Sequence, residues 1–479
     1  MKNTCASLSV VCMLAFSACP APTAAQGASV TRSVDSADLQ QRMVYRRAVD
    51  AVVWGMPAVN YRLMYEEMVG KAGGDFNQIV WWPGLLDWKN QTLTPNPDVI
   101  YLMPFFNTKD AGPIVLEIPP ADEGLFNGSV MNYWQAAIED VGPGGIDKGK
   151  GGKYLFMPPG FGRDKVPEGY IPMPSDTYQG FALLRSVLKS GSDADVARAI
   201  AYSKRVKLYP LSQAANPPET RFVDASNVVF DSTIPYDQRF FQVLHRQVQD
   251  EPWLERDKAM IDPLKTIGIE RGKPFNPDER TRKILEDALL EAHAWLDARI
   301  EHMPPYYEGG RWFFPITEEM HQSIMNFFTT PDSFPIDARA TAYSLAFFSG
   351  KHVGENQYYL MTTTDRSGNA LRGNVSYKLR VPANAPAKQY WSMTVYNRAT
   401  HAFIRNARWV GRSSQTPALK KNEDGSVDLF FGPKPPPTGE SNWVPTDPKG
   451  HFEVLARFYG PEKPLFDKSW RLPDMEEVK

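Results

Sequence analysis

Beyond residue 19 this chain has no cysteine: Cys5, Cys12 and Cys19 all fall within the first nineteen of 479 residues. The rest of the sequence therefore carries no thiol nucleophile, cysteine-ligated zinc, iron–sulfur cluster, thiolate haem or disulfide of its own. An excess of either charge is lacking too. With 53 basic and 55 acidic residues the net charge is -2, which gives no electrostatic basis for binding nucleic acid or an anionic membrane. After the N-terminal segment no apolar run reaches the ~18 residues of a membrane-spanning helix. The seven histidines never fall as H-x-H or H-E-x-x-H. The spacing thus points to no metal site, and no cofactor is expected.

The cysteine-bearing segment is built like an export signal. Lys2 supplies the positive start, and Leu8 to Phe16 are almost wholly apolar. Thr23-Ala24-Ala25 before Gln26 fits a cleavage site, so residues 1–25 are read as a signal peptide. A second reading takes Phe16-Ser17-Ala18-Cys19 as a lipoprotein box, from which Phe16 and Pro20 depart. The expected location is periplasmic or secreted, or lipid-anchored through Cys19.

What is present suggests a large globular chain. Hydrophobic residues make up 42% and aromatics 12%, enough for sizeable cores. The 41 prolines exceed the usual ~5% and argue for many turns and short strands. Helical spacing from Ser36 to Trp54 is followed by Gly55 and Pro57, which predict a break before a second helix over 58–68. Residues 78 to 175 read as strands and turns, and 176 to 205 as helix. A capped apolar stripe predicts a helix over 277–302, with shorter helices over 318–328 and 337–347. From residue 374 the period becomes two, as in Tyr377, Leu379, Val381 and again in Phe452, Val454, Ala456, Phe458. The implied organisation is an N-terminal domain over 36–205, a helical connection over 206–350 and a C-terminal β-domain over 351–479. The fold class is α+β and β-rich.

Several catalytic signals fail on inspection. Gly144 to Gly151 nearly spells a phosphate loop, but Gly151 stands where a Mg²⁺-binding Ser or Thr is needed and a strand-like run follows. Ser186 and Lys189 form an S-x-x-K without its companion triplets, and no G-x-S-x-G occurs.

Two sets of motifs carry a resemblance. Thr94-Pro95-Asn96-Pro97-Asp98-Val99-Ile100-Tyr101, Gly112 to Pro119, Trp54-Gly55-Met56-Pro57, Tyr154 to Gly160 and Leu184-Arg185 resemble the family called domain of unknown function 1254. Tyr390 to Tyr396, Asp424 to Val427, Asn442 to Pro445, Arg457 to Pro461 and Trp470 to Pro473 resemble domain of unknown function 1214. Val99 departs from the first family's usual Thr, which removes a hydroxyl beside Asp98. The resemblance implies two antiparallel β-sandwich or jelly-roll-like barrel domains joined and flanked by helices, and it implies no activity.

The candidate site residues have two readings each. Asn96 and Asp98 are either turn caps or polar groups at the mouth of the first β-domain, where Asp98, Tyr101 and Arg185 would form an acid/base or ligand-binding set. Arg185 is either an ion-pair partner of Asp98 or Asp140, or an anion clamp. Trp134 is either core or an aromatic platform. The expected function is small-molecule binding or assembly into a homo-oligomer, with no nucleic-acid partner. The alternative is an exported hydrolase or acid/base enzyme acting on a small polar or aromatic substrate through Asp98, Tyr101 and Arg185.

Overall fold

A computed structural model describes residues 36–347, 350–352 and 357–478. The signal segment and its cysteines lie outside the described residues. Residues 36–40 are only the first turn of the helix Ser36–Gly70, and the body described below is built from Gln41 onward.

That first helix does not break at Gly55 and Pro57, contrary to the sequence expectation. Pro57 removes one helical donor. The carbonyls around it find other partners: Trp54 accepts from Arg339 Nη2 at 2.8 Å, and Pro57 accepts from Gln135 Nε2 at 2.9 Å. Gly55 supplies space, since a Cβ there would sit 2.6 Å from Leu244 Cδ1 on the helix Arg239–Asp250. The helix is held through this stretch by its packing, with Val52, Trp54, Met56, Ala58 and Val59 all buried.

The N-terminal domain is a two-sheet sandwich. Six strands run in the order Phe222–Asp224, Gln78–Trp81, Val99–Asn107, Gln179–Val187, Phe126–Asn132, Ala137–Val141. Four more, Lys207–Pro210, Ile114–Ile118, Gly152–Met157 and Tyr170–Pro174, form the second sheet. Ile100, Leu102 and Phe106 from the first sheet pack with Leu116, Tyr154 and Phe156 from the second. Alternate residues of the first sheet, among them Val99, Tyr101 and Met103, face the other way. The 176–205 stretch, expected to be helical, divides into the strand Gln179–Val187 and the helix Asp193–Ser203.

The C-terminal domain is a second sandwich, with the period-two strands where the sequence places them. One sheet runs Gln357–Thr362, Phe452–Pro461, Ala387–Asn397, Gly411–Ser413, and the other Trp443–Pro445, Val427–Gly432, Tyr377–Val381, Glu476–Glu477. Phe452, Val454, Ala456 and Phe458 face the core between these sheets. The intervening residues of that strand are buried as well: Leu455 packs into the cluster that holds the N-terminal sheet's Tyr101 and Met103. No closed barrel occurs among the described residues, so both β-domains are sandwiches. The main connecting helices are Arg239–Asp250, Glu279–Glu301, Glu318–Met325 and Ile336–Leu345. The long connecting helix is capped by Asp278, whose side chain accepts from Thr281 N at 2.7 Å. No described helix is long and apolar enough to cross a membrane.

Candidate functional site

Each sandwich turns one polar rung toward the same space. On the N-terminal sheet the register sets Tyr101 beside Arg185 and Arg185 beside Asn127 across three strands. On the C-terminal sheet it sets Tyr359 beside Arg457, then Ser392, then Ser413. Tyr101, Arg185, Asn127, Tyr359 and Arg457 all line a cavity that offers about 130 Å³ to the centres of water-sized molecules. Most of the remaining wall is carbon, from Leu93, Ile324, Leu345, Phe347, Met361 and Leu455. An apolar pocket with a few converging polar groups is the usual form of a small-molecule site.

The two arginines are held differently. Arg185, 4% exposed, donates from Nε to Tyr101 Oη at 3.2 Å, and its guanidinium lies 5.4 Å from the Tyr101 ring centre. Arg457, 2% exposed, donates to Thr394 Oγ1 at 2.9 Å, to the carbonyls of Thr94 and Pro95 at 2.9 and 3.1 Å, and to Tyr396 Oη. These acceptors are neutral, and among the described residues no carboxylate lies within ion-pair distance of Arg457. Tyr101 Oη accepts from both Arg185 Nε and Asn96 N, at 3.2 and 3.1 Å, so its own proton remains for another acceptor. Asn127 is 3% exposed, and neither its Oδ1 nor its Nδ2 has a hydrogen-bond partner. An unmade pair of this kind costs about 1–3 kcal/mol for each buried group.

Among the described residues, two carboxyl groups nearby are already engaged. Asp140 lines the cavity but accepts from Ser129 Oγ at 2.7 Å and from His352 N at 2.8 Å. Burial pushes its pKa up, and the Ser129 hydroxyl pulls it back in part. Asp98 faces the second rung. Burial raises its pKa, while the Ser413 hydroxyl, the charge of Arg457 and the Ser392 hydroxyl act against that rise.

The sequence candidates thus do not form one cluster. Tyr101 and Arg185 meet directly. Asp98 forms no ion pair with Arg185; its carboxyl answers to Ser413, Arg457 and Ser392 on the other sheet. Arg185 lies on a strand and not on the expected helix. Asn96 holds a turn, accepting from Asp98 N at 3.0 Å, and its Nδ2 donates to Tyr390 and Tyr459 at 2.9 and 2.8 Å. Trp134 is 2% exposed and packed 4.8 Å from the Trp54 ring, with the Arg339 guanidinium 4.7 Å from its own ring. It does not line the cavity. Asn127, Tyr359 and Arg457 were missed as site residues. Only the pairing register brings them together, and no local motif marks them.

Comparison with known proteins agrees with this architecture. Residues 76–210 match the family described as protein of unknown function (DUF1254), and residues 356–463 match protein of unknown function (DUF1214). No curated protein matches the chain. The crystal structure of the VPA0106 protein from Vibrio parahaemolyticus is similar at 18% identity and a TM-score of 0.56, covering 91% of this chain and 100% of that one. A putative uncharacterized protein from Burkholderia cenocepacia aligns at 10% identity and a TM-score of 0.40, over 92% of this chain and 95% of that one. The first likeness supports the fold alone. The chain therefore carries a DUF1254 domain followed by a DUF1214 domain, the paired order that its motifs predict.

Proposed function

We propose that this protein binds a small, largely apolar molecule in the cavity between its two sandwiches. The observation that carries the reading is the unbonded carboxamide of Asn127, buried against that cavity beside Arg185. A group left unsatisfied at such a cost is accounted for by a ligand that completes it. The polar groups sit on strands of two packed sheets, which hold them rigidly enough to select a ligand. The test is a melting series with benzoate, benzamide, benzyl alcohol and benzylamine. At least one should raise the melting temperature in a saturable way, as expected for a ligand that binds only the folded state. Ala346→Phe, which places a ring where Ala346 lines the cavity, should abolish that rise. No saturable rise with any compound, or an unchanged rise in the variant, would remove the reading.

We propose also that the protein acts outside the cytoplasm, after loss of residues 1–25. The support is the apolar run Leu8 to Phe16 behind Lys2, with small residues before Gln26. Intact mass of the protein from its native host should correspond to a chain beginning near Gln26, or at a lipidated Cys19. A form that retains Met1 in the cytoplasm would refute export.

A further inference from the structure

The wall of the cavity holds unmet hydrogen-bonding groups of both kinds. Asn127 is 3% exposed, and among the described residues neither its Oδ1 nor its Nδ2 has a hydrogen-bond partner. A single carboxamide therefore presents an acceptor and a donor side by side, whichever way round its two ends are set. The strand Phe126–Asn132 holds it in register with Arg185, and Tyr101 stands on the far side of Arg185, so the amide is fixed on the sheet and not on a loop. From the other sandwich comes Oε1 of Gln357, which belongs to a residue lining the same cavity, is buried and has no partner either. Two unmet carbonyl oxygens and an unmet N–H call for a ligand that supplies hydrogens as well as lone pairs.

Resting on the binding reading above, we infer that the ligand is a neutral amide, a primary carboxamide or a lactam, with an apolar body. Its N–H donates to Asn127 Oδ1 and its carbonyl accepts from Asn127 Nδ2, while the body lies against the lining residues Met361, Leu455 and Leu345. A carboxylate has lone pairs only and would set them against both unmet carbonyl oxygens. An ammonium has hydrogens only and leaves Nδ2 unmet. A lone hydroxyl meets one end of Asn127 in line, but it reaches both only through bent, weakened bonds. An ester or ketone offers the carbonyl without the N–H. A polar group left unmet in a buried site costs affinity, and that cost separates an amide from its ester.

The experiment pairs amides with carbonyl compounds of like shape that lack the N–H: benzamide against methyl benzoate, and δ-valerolactam against cyclohexanone. Binding is read by calorimetry at neutral pH up to about 10 mM, beyond the millimolar range of weak binding. Benzoate and benzylamine serve as further probes. Each amide should bind at least about tenfold tighter than its partner, and benzamide tighter than benzoate or benzylamine. Asn127→Leu removes both unmet groups at similar size, and losing a buried unsatisfied amide should not cost stability, so the variant should fold. In it benzamide should bind at least about tenfold more weakly, and its advantage over methyl benzoate should shrink to about twofold or less. The ranking of head groups is read on the wild-type protein, so it stands whether or not the variant is soluble.

Methyl benzoate and cyclohexanone binding as tightly as the amides, or benzoate or benzylamine binding more tightly, would overturn the amide and leave the cavity reading standing. An amide preference that survives unchanged in Asn127→Leu would overturn the placement at Asn127. No probe binding at all would overturn the inference together with the reading it rests on.

Discussion

Val454→Asp should abolish soluble expression. Val454 is fully buried between Thr362 and Val395 in the sheet register and faces the core of the C-terminal sandwich. A carboxylate there meets apolar side chains and the Thr362 hydroxyl, which already donates to the Thr364 carbonyl, and burying it unpaired costs several kcal/mol, a large part of the stability of any domain. One residue earlier the same strand buries a carboxylate without difficulty. Glu453 is fully buried, but the pleat turns it to the opposite face, where His401 Nδ1 lies 2.7 Å from Oε1 and Arg398 Nε 3.8 Å from Oε2. The control is Val454→Ala, which removes packing alone and should remain soluble while losing about 1–3 kcal/mol. Soluble yield and melting of both variants check the expectation. An Asp variant that melts with the Ala variant would show that this face is not apolar core.

Glu251 should make the protein less stable as pH rises from about 5 to 8. Its carboxyl is 1% exposed and accepts from Tyr178 N at 2.8 Å and Gln179 N at 2.9 Å. Burial outweighs those two bonds, and with the charges of Asp250 and Asp176 it lifts the pKa from 4.5 to about 8. An acid whose pKa is raised by folding keeps its proton in the native state after the unfolded chain has lost it. Between 4.5 and 8 the native state therefore binds more protons, and stability falls with rising pH. The slope is at most about 1.4 kcal/mol per pH unit, and the whole window can be worth a few kcal/mol. Glu251→Gln lacks this titration, although its amide can accept only one of the two backbone bonds. Its melting temperature should fall below that of the wild type at pH 5 and gain on it steadily up to pH 8. Parallel profiles for the two proteins would show that Glu251 ionises alike in both states.

Period-two strands were legible because one apolar core selects every second residue: Tyr377, Leu379 and Val381 could be placed from spacing alone. The strand Gln179–Val187 was not, since all nine of its residues are buried, which erases the alternation that distinguishes strand from helix. Pro57 misled for a different reason: the helix around it is buried against segments far away in sequence, as where Arg339 donates to the carbonyl of Trp54, and that packing holds it through the proline. The candidate site was half legible. Tyr101 and Arg185 stand in recognisable motifs, and Asn96 holds a turn as its sequence suggests. Arg457 could be read only as an outward residue on an alternating strand. Its position against the first sheet is a property of the whole chain, because outward on one sandwich is inward for the molecule.

The bonds that close the cavity join residues far apart in sequence. Asn96 reaches Tyr459, and the Thr94 carbonyl reaches Arg457, each across 363 positions. Closing loops of that length is entropically costly and slow, while the strand pairs of the first sandwich need much shorter closures. The walls of the cavity should therefore assemble last during folding. A chain that has built its first sandwich but not yet its second leaves the rung of Tyr101, Arg185 and Asn127 open to water, and the binding groups exist before there is a pocket to bind with.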